Sequence, residues 1–368
     1  MTTRTIMIQY RMTAPGAPLE RFESPLPVPE AEEVLVEIAG CGVCHTDLGF
    51  YSGAVKTRQP LPVTLGHEIS GRIVAVGKGD GATQRLMGRG VIVPAVIPCG
   101  SCSACRKGRG SICAAQIFLG NDIHGGFATH VVAPARGLCP VPGWEPGRPV
   151  TSDGAGLAEL SVMADALTTA YQSVVRSGLG EGDMAVVVGA GGVGGFAIQV
   201  AAALGATVAA LDVDEERLAP LREHGAALAI DVSNLDHGEV RRRLRDFAGE
   251  RQLASREWKI FETSGTSAGQ TLAFRLLNHG AHLSVVGFTP SEVSVRLSNL
   301  MALDATASGN WGCLPERYPE ALDLVIRGKI AIAPFVETRP LDQVQEVLRA
   351  LEAGELKRRV VLIPWADA

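Results

Sequence analysis

The stretch MAVVVGAGGVGG, Met184 to Gly195, decides how the rest of the chain is read. Five apolar residues run straight into Gly189, Gly191 and Gly194, and an apolar helical pattern, FAIQVAAALG, follows at once. A strand that enters a glycine turn and leaves as a helix is the phosphate-binding corner of a dinucleotide fold. Gly189 permits the tight turn, Gly191 lets the backbone approach a pyrophosphate, and Gly194 allows the helix to pack closely on the strand. The amides of Gly192 and Val193 then open the helix toward the anion. Eighteen residues after Gly194, at the end of the next apolar run TVAALDV, stands Asp212. A carboxylate there can accept both ribose hydroxyls of NAD and would repel the additional phosphate of NADP. The lesser alternative is a cap on the next helix, so NAD is the expected cofactor.

Outward from this corner, strands alternate with amphipathic helices: ERLAPLREHG, then LAI at Leu228, WKIFETS and AHLSVVGF. That alternation calls for a doubly wound parallel sheet. The first 150 residues have another texture. VLVEIAG, GRIVAV, GVIVPAV and THVVAP are short runs punctuated by Gly and Pro, which predicts a small irregular sheet or barrel. LAELSVMADALTTAYQSVV, from Leu157, has helical spacing, and the end carries PERYPEALDLVIRG, LDQVQEVLRALEAG and a closing strand, RVVLIP. The expected organisation is a β-rich domain over 1–165, a dinucleotide domain over 166–308, and a return to the first domain over 309–368.

At 368 residues the chain exceeds what one core usually supports. Its net charge of −5, with Lys and Arg scattered, gives no footprint for nucleic acid or anionic lipid. The N-terminus lacks a charged start followed by an apolar run, and no segment reaches the roughly 18 apolar residues of a membrane span. A cytoplasmic protein with neither nucleic-acid nor membrane partners is expected.

Cysteine usage fits a reducing compartment. Cys99, Cys102, Cys105 and Cys113 follow a Cys-x2-Cys-x2-Cys-x7-Cys spacing within a glycine-rich lobe over 95–115. Four thiolates with no open position are how structural zinc is held, and an iron–sulfur cluster is the rival occupant. A second set is dispersed: CGVCHTD at Cys41 to Asp47 and GHE at Gly66 to Glu68. One Cys and one His are too few for a closed site but suit a catalytic metal with a vacant position. On pattern alone His67 reads equally well as a satisfied core residue.

CGVCHTD, GHE, the four-cysteine lobe, GGFATHVVAP, LTTAY, GAGGVG and the final RVVL stand in an order and spacing that resembles the zinc-containing alcohol dehydrogenases of the medium-chain dehydrogenase/reductase family. The resemblance covers nearly the entire chain. It implies a GroES-like catalytic domain plus a Rossmann domain, an active site in the cleft between them, NAD, and two zinc ions per chain. Cys44 and His67 would be catalytic zinc ligands, with Glu68 beside the ion as a neighbouring or exchangeable ligand. The family's third ligand is commonly a Cys; the matching position here is Asp165, which the resemblance carries over as ligand. Thr46 would accept the substrate's proton, His45 and Arg359 would face the pyrophosphate, and Arg217 would lie near the adenosine ribose. Assembly as a homodimer or homotetramer is also implied.

One departure concerns the proton. Many relatives relay it to a His five residues beyond the ligand Cys, and that position here is Gly49, so the relay stops at Thr46 unless His124 or His130 substitutes. A truncated relay suits a substrate in which hydride can add 1,4 to a conjugated system. Runs such as DLGFYSGAVKTRQPLPVTLGHE and GNDIHGGFATHVVAPARGLCPVP are similar to family members that oxidise the ring alcohol of a cyclic enoyl-CoA with NAD. They imply a cyclic hydroxyacyl-CoA thioester as the small-molecule substrate. Lys56 and Arg58 could then meet CoA phosphates, or be ordinary solvated loop charges. Two other readings stand beside this one: a dehydrogenase of a free secondary alcohol or polyol, and a catalytically silent NAD-binding protein.

Overall fold

The computed structural model describes residues 5–78 and 81–365, and the chain divides into two compact units. The first comprises residues 1–165, 312–326 and 335–368; the second comprises 166–311 and 327–334.

The first unit is β-rich, as the short punctuated runs require. Its largest sheet has the strand order Cys139–Pro140, Gly90–Val93, Glu68–Val76, Glu33–Gly42, Arg359–Ile363, Val336–Pro340, with His130–Pro134 also pairing Glu33–Gly42. Strand Glu33–Gly42 is central, and Val34, Val36 and Ile38 on it are fully buried. Its end carries the site. Antiparallel register sets Gly42 opposite Glu68 on one side and opposite Val361 on the other. The beginnings of both neighbouring strands therefore meet the point where the chain leaves Gly42 toward Cys44.

The helical spacing from Leu157 does not make one helix. A 3₁₀ helix, Glu159–Ala164, ends at Asp165, whose backbone (φ −144°, ψ −66°) is not helical, and an α-helix restarts over Ala166–Arg176. The cause lies at Ala164: its carbonyl accepts from the Ala95 amide at 3.1 Å and the Tyr318 hydroxyl at 2.5 Å. A carbonyl spent on two distant donors cannot close a helical turn.

The second unit is a six-stranded parallel sheet in the order Ala226–Asp231, Thr207–Asp212, Met184–Val188, Lys259–Glu262, His282–Val285, Thr306–Gly309. Counted within the unit this is 3-2-1-4-5-6, the Rossmann order. The expected doubly wound sheet is present, and all five residues of Met184–Val188 are buried, as a central parallel strand requires.

Candidate active site

Four potential ligands converge in the first unit. One ligand atom each from Cys44, His67, Glu68 and Asp165 lie within 4.8 Å of one another. Cys44 caps the helix His45–Tyr51 in an extended conformation, Glu68 opens the strand opposite Gly42 with His67 just before it, and Asp165 occupies the break between two helices. Gly42 is required here, since a Cβ would lie 2.1 Å from a Glu68 carboxylate oxygen.

Asp47 organises the set. It is 1% exposed. Its Oδ2 accepts the Cys44 amide at 3.0 Å, while Oδ1 accepts the Gly66 amide at 3.0 Å and lies 3.1 Å from His67 Nδ1. A carboxylate at Nδ1 fixes the tautomer with that nitrogen protonated and presents the Nε2 lone pair outward. Among the described residues Nε2 is buried with no hydrogen-bond partner, although Asp165 Oδ2 is 3.4 Å away. Phe118 stacks edge-on against the ring, with centroids 5.2 Å apart. Burial opposes charge on His67, but Asp47, Asp165 and Cys44 outweigh it and hold its proton affinity well above that of an ordinary imidazole. Carboxylate oxygens and a cysteine sulfur gathered around one buried imidazole nitrogen that makes no hydrogen bond among the described residues form a donor set for a cation. A thiolate, an imidazole and a carboxylate are donors zinc accepts.

Glu68 differs from its neighbours. Arg359 grips it with both arms, Nε donating to Oε2 at 3.0 Å and Nη2 to Oε1, and the two side chains are 8% and 0% exposed. Burial costs both charges. The mutual attraction nevertheless keeps Arg359 charged, its proton held more tightly than a free guanidinium's. The resemblance has Arg359 facing a pyrophosphate; the structure places its guanidinium on Glu68.

Thr46 is half-buried, its Oγ1 3.7 Å from Cys44 Sγ, and His45 is exposed at the start of the same helix. Gly49 faces space: a Cβ there would meet nothing closer than Val55 Cγ2 at 3.9 Å. Of the two other histidines, His124 Nδ1 accepts the Thr64 amide at 3.2 Å, and His130 Nδ1 lies 3.0 Å from the Thr129 hydroxyl. Arg58 pairs with Asp122 at 3.3 Å while its amide donates to Asn121 Oδ1, so its charge is already partnered.

In the lobe, Sγ separations are 3.4 Å for Cys102 and Cys105, 3.7 Å for Cys102 and Cys113, and 3.9 Å for Cys99 and Cys105. A zinc–sulfur bond of about 2.3 Å gives a tetrahedron edge of about 3.8 Å. The lobe is therefore sized for one ion, whereas a cluster would hold its thiolates farther apart. The amide and hydroxyl of Ser101 and the amide of Cys102 lower the Cys99 thiol to about 6, which favours a thiolate at neutral pH.

The glycine corner occupies the second unit. Gly189 has φ +95°, and a Cβ on it would lie 2.6 Å from the Ser264 backbone. A Cβ on Gly194 would lie 1.8 Å from the Gly189 carbonyl oxygen, whereas one on Gly191 would meet nothing within 4 Å. Close packing at the outer two glycines and open space at the middle one are what a pyrophosphate lying across the turn needs. Gly191 caps the twelve-residue helix Gly192–Ala203, whose first turn includes Val193. Asp212 departs from expectation. Its Oδ2 accepts the Ala190 amide at 2.5 Å, and its Oδ1 accepts the amides of Val213 at 2.8 Å and Asp214 at 3.0 Å. Three of its roughly four acceptor positions are used within the protein. The next helix is capped instead by Asp214, which also pairs with Arg217 at 3.6 Å.

The sequence reading missed Asp47. Two of its three partners, Gly66 and His67, lie nineteen and twenty residues away, and only its place two residues beyond the CH pair of CGVCHTD could have drawn notice.

Residues 30–143 match the alcohol dehydrogenase GroES-like domain, and residues 192–327 match the zinc-binding dehydrogenase family. An alcohol dehydrogenase of Geobacillus stearothermophilus is 30% identical over 348 residues, spanning 94% of this chain and 95% of that protein. Among solved structures, the alcohol dehydrogenase of Aeropyrum pernix aligns with a TM-score of 0.84 and 29% identity over 97% of this chain and 100% of that one. Galactitol-1-phosphate dehydrogenase from Escherichia coli aligns with a TM-score of 0.84 and 26% identity over the same shares. The chain therefore belongs to the zinc-containing medium-chain alcohol dehydrogenases, an oxidoreductase family that depends on zinc and NAD.

Proposed function

We propose that this chain interconverts a secondary alcohol and its carbonyl compound at the site formed by Cys44, His67 and Asp165, with NAD on the glycine corner of the second unit. The observation that carries this reading is the convergence of those three side chains, with His67 Nε2 buried, 3.4 Å from Asp165 Oδ2 and without a hydrogen bond among the described residues. Bound zinc supplies Lewis acidity toward the alcohol oxygen, and bound NAD takes up hydride. The chain's residues do the rest. Asp47 orients His67 and the Cys44 turn. Arg359 occupies both Glu68 oxygens, so Cys44, His67 and Asp165 are the residues that would hold the ion. The Thr46 hydroxyl takes the alcohol proton, and the bare Gly49 offers it no onward base along that helix. The Cys99, Cys102, Cys105 and Cys113 lobe holds a second, structural zinc. A catalytically silent protein would have no reason to keep Cys44, Thr46 and His67 around one point.

For the substrate, we infer 6-hydroxycyclohex-1-ene-1-carbonyl-CoA, oxidised to the 6-oxo compound in anaerobic benzoyl-CoA degradation, with 1,4-hydride transfer as a further capability. Whole-chain resemblance and Gly49 support it; Arg58, paired with Asp122, lends it nothing. A free secondary alcohol or polyol is the second reading, and it is favoured by the alcohol dehydrogenases among the relatives. Assaying NADH formation with the cyclic hydroxyacyl-CoA beside cyclohexanol and a set of polyols separates the two. Faster turnover of the thioester supports the first; turnover of free alcohols alone supports the second. A homodimer or homotetramer in the cytoplasm completes the proposal. Among the described residues no helix is long and apolar enough to cross a membrane.

A further inference from the structure

The peptide joining Gly189 to Ala190 is tied at both ends. Its N–H goes to Asp212 Oδ2 at 2.5 Å, and its carbonyl accepts the Thr263 hydroxyl at 2.7 Å. The same hydroxyl lies 3.1 Å from the Val188 carbonyl, which also accepts the Thr263 amide at 2.9 Å. Thr263 thus bridges the last carbonyl of the strand Met184–Val188 and the first carbonyl of the glycine turn. Its neighbours hold it in place: Ser264 donates its amide, at 2.9 Å, and its hydroxyl, at 2.5 Å, to Glu262 Oε1, and Glu262 is fully buried. The Ser264 backbone is also what a Cβ on Gly189 would strike.

A carbonyl oxygen turned toward a bound pyrophosphate would repel it, whereas amides attract it. We infer that Thr263 is a positioning residue for the dinucleotide: its hydroxyl holds the Gly189 carbonyl against the sheet, so that the turn presents N–H groups to the phosphates and Asp212 to the ribose. This rests on the NAD reading above. The nucleotide touches neither the hydroxyl nor Glu262 in this account; both act through the turn.

The test is titration of the zinc-loaded protein with NADH, followed by nucleotide fluorescence, for wild type, T263V, T263S and T263A, with Tm measured alongside. Valine keeps the shape and removes the hydroxyl. Losing one net hydrogen bond predicts an NADH Kd raised about fivefold to tenfold in T263V and T263A, with T263S restored to within about twofold of wild type. T263A serves if valine prevents folding. A lowered Tm with unchanged NADH Kd in T263V would assign the hydroxyl to stability alone and overturn the inference. So would a T263S as weak as T263V. A wild-type protein that binds no NADH would instead bring down the cofactor reading, and this inference with it.

Discussion

Replacing Asp47 with Asn should loosen one metal site and leave the other untouched. Asp47 receives three buried donors: the Cys44 amide, the Gly66 amide and His67 Nδ1. Asparagine keeps one acceptor oxygen and turns the other into an NH2 group, so at least one donor loses its partner and faces another donor. A buried donor left unpaired costs about 1–3 kcal/mol, and at about 1.4 kcal/mol per decade that is roughly tenfold to a hundredfold. Carboxylates that hydrogen-bond the far nitrogen of metal-bound imidazoles elsewhere have effects of about the same size. Because His67 and Cys44 both hang on this carboxylate, the loss should fall on metal affinity. The assay is metal content by mass spectrometry after dialysis against graded chelator. D47N is expected to release one ion at chelator strengths tenfold to a hundredfold weaker than wild type requires, while the four-cysteine ion is retained. Equal retention of both ions in D47N and wild type would refute the assignment of Asp47 as the support of the site. D47A should be worse, since all three donors are orphaned at about 3–9 kcal/mol in total, a sum comparable with the whole stability of a domain.

Other outcomes follow from the same geometry. Arg359→Met leaves Glu68 as a buried, uncompensated carboxylate and should cost about 3–5 kcal/mol in urea unfolding; adding Glu68→Leu should recover much of it, and strictly additive losses would argue that the pair is not coupled. In metal-stripped protein Cys99 is a thiolate above about pH 6, and its stabilisation by Ser101 is lost as pH falls through that value. Ser101→Ala should move the midpoint upward, as read by thiolate absorbance, and an unmoved midpoint would remove Ser101 from the account. Gly49→His meets no close contact at its Cβ and should add a titration near neutrality to the pH profile of alcohol oxidation. A profile identical to wild type would mean that the proton never passes that way.

How much of this was legible in the sequence depended on distance along the chain. The glycine corner and the four-cysteine lobe are local, each spanning about fifteen residues or fewer, so spacing alone carries their chemistry. The strand runs VLVEIAG and WKIFETS were readable because burial imposes their apolar pattern. The features that escaped are set by tertiary partners. Glu68 and Arg359 are 291 residues apart, and Thr263 reaches Gly189 across 74. The helix predicted through Asp165 failed because Ala95 and Tyr318 take the Ala164 carbonyl, a competition no local propensity records. Asp212 was located correctly on its strand end, but the three amides that consume most of its capacity could be seen only once the turn was in place.

Metal stoichiometry measured with NAD-dependent turnover on wild type and His67→Ala tests the central claim most directly. Two zinc ions per wild-type chain are expected, with His67→Ala keeping only the ion of the cysteine lobe and losing alcohol oxidation. A His67→Ala protein that holds one ion and still turns over at the wild-type rate would contradict it.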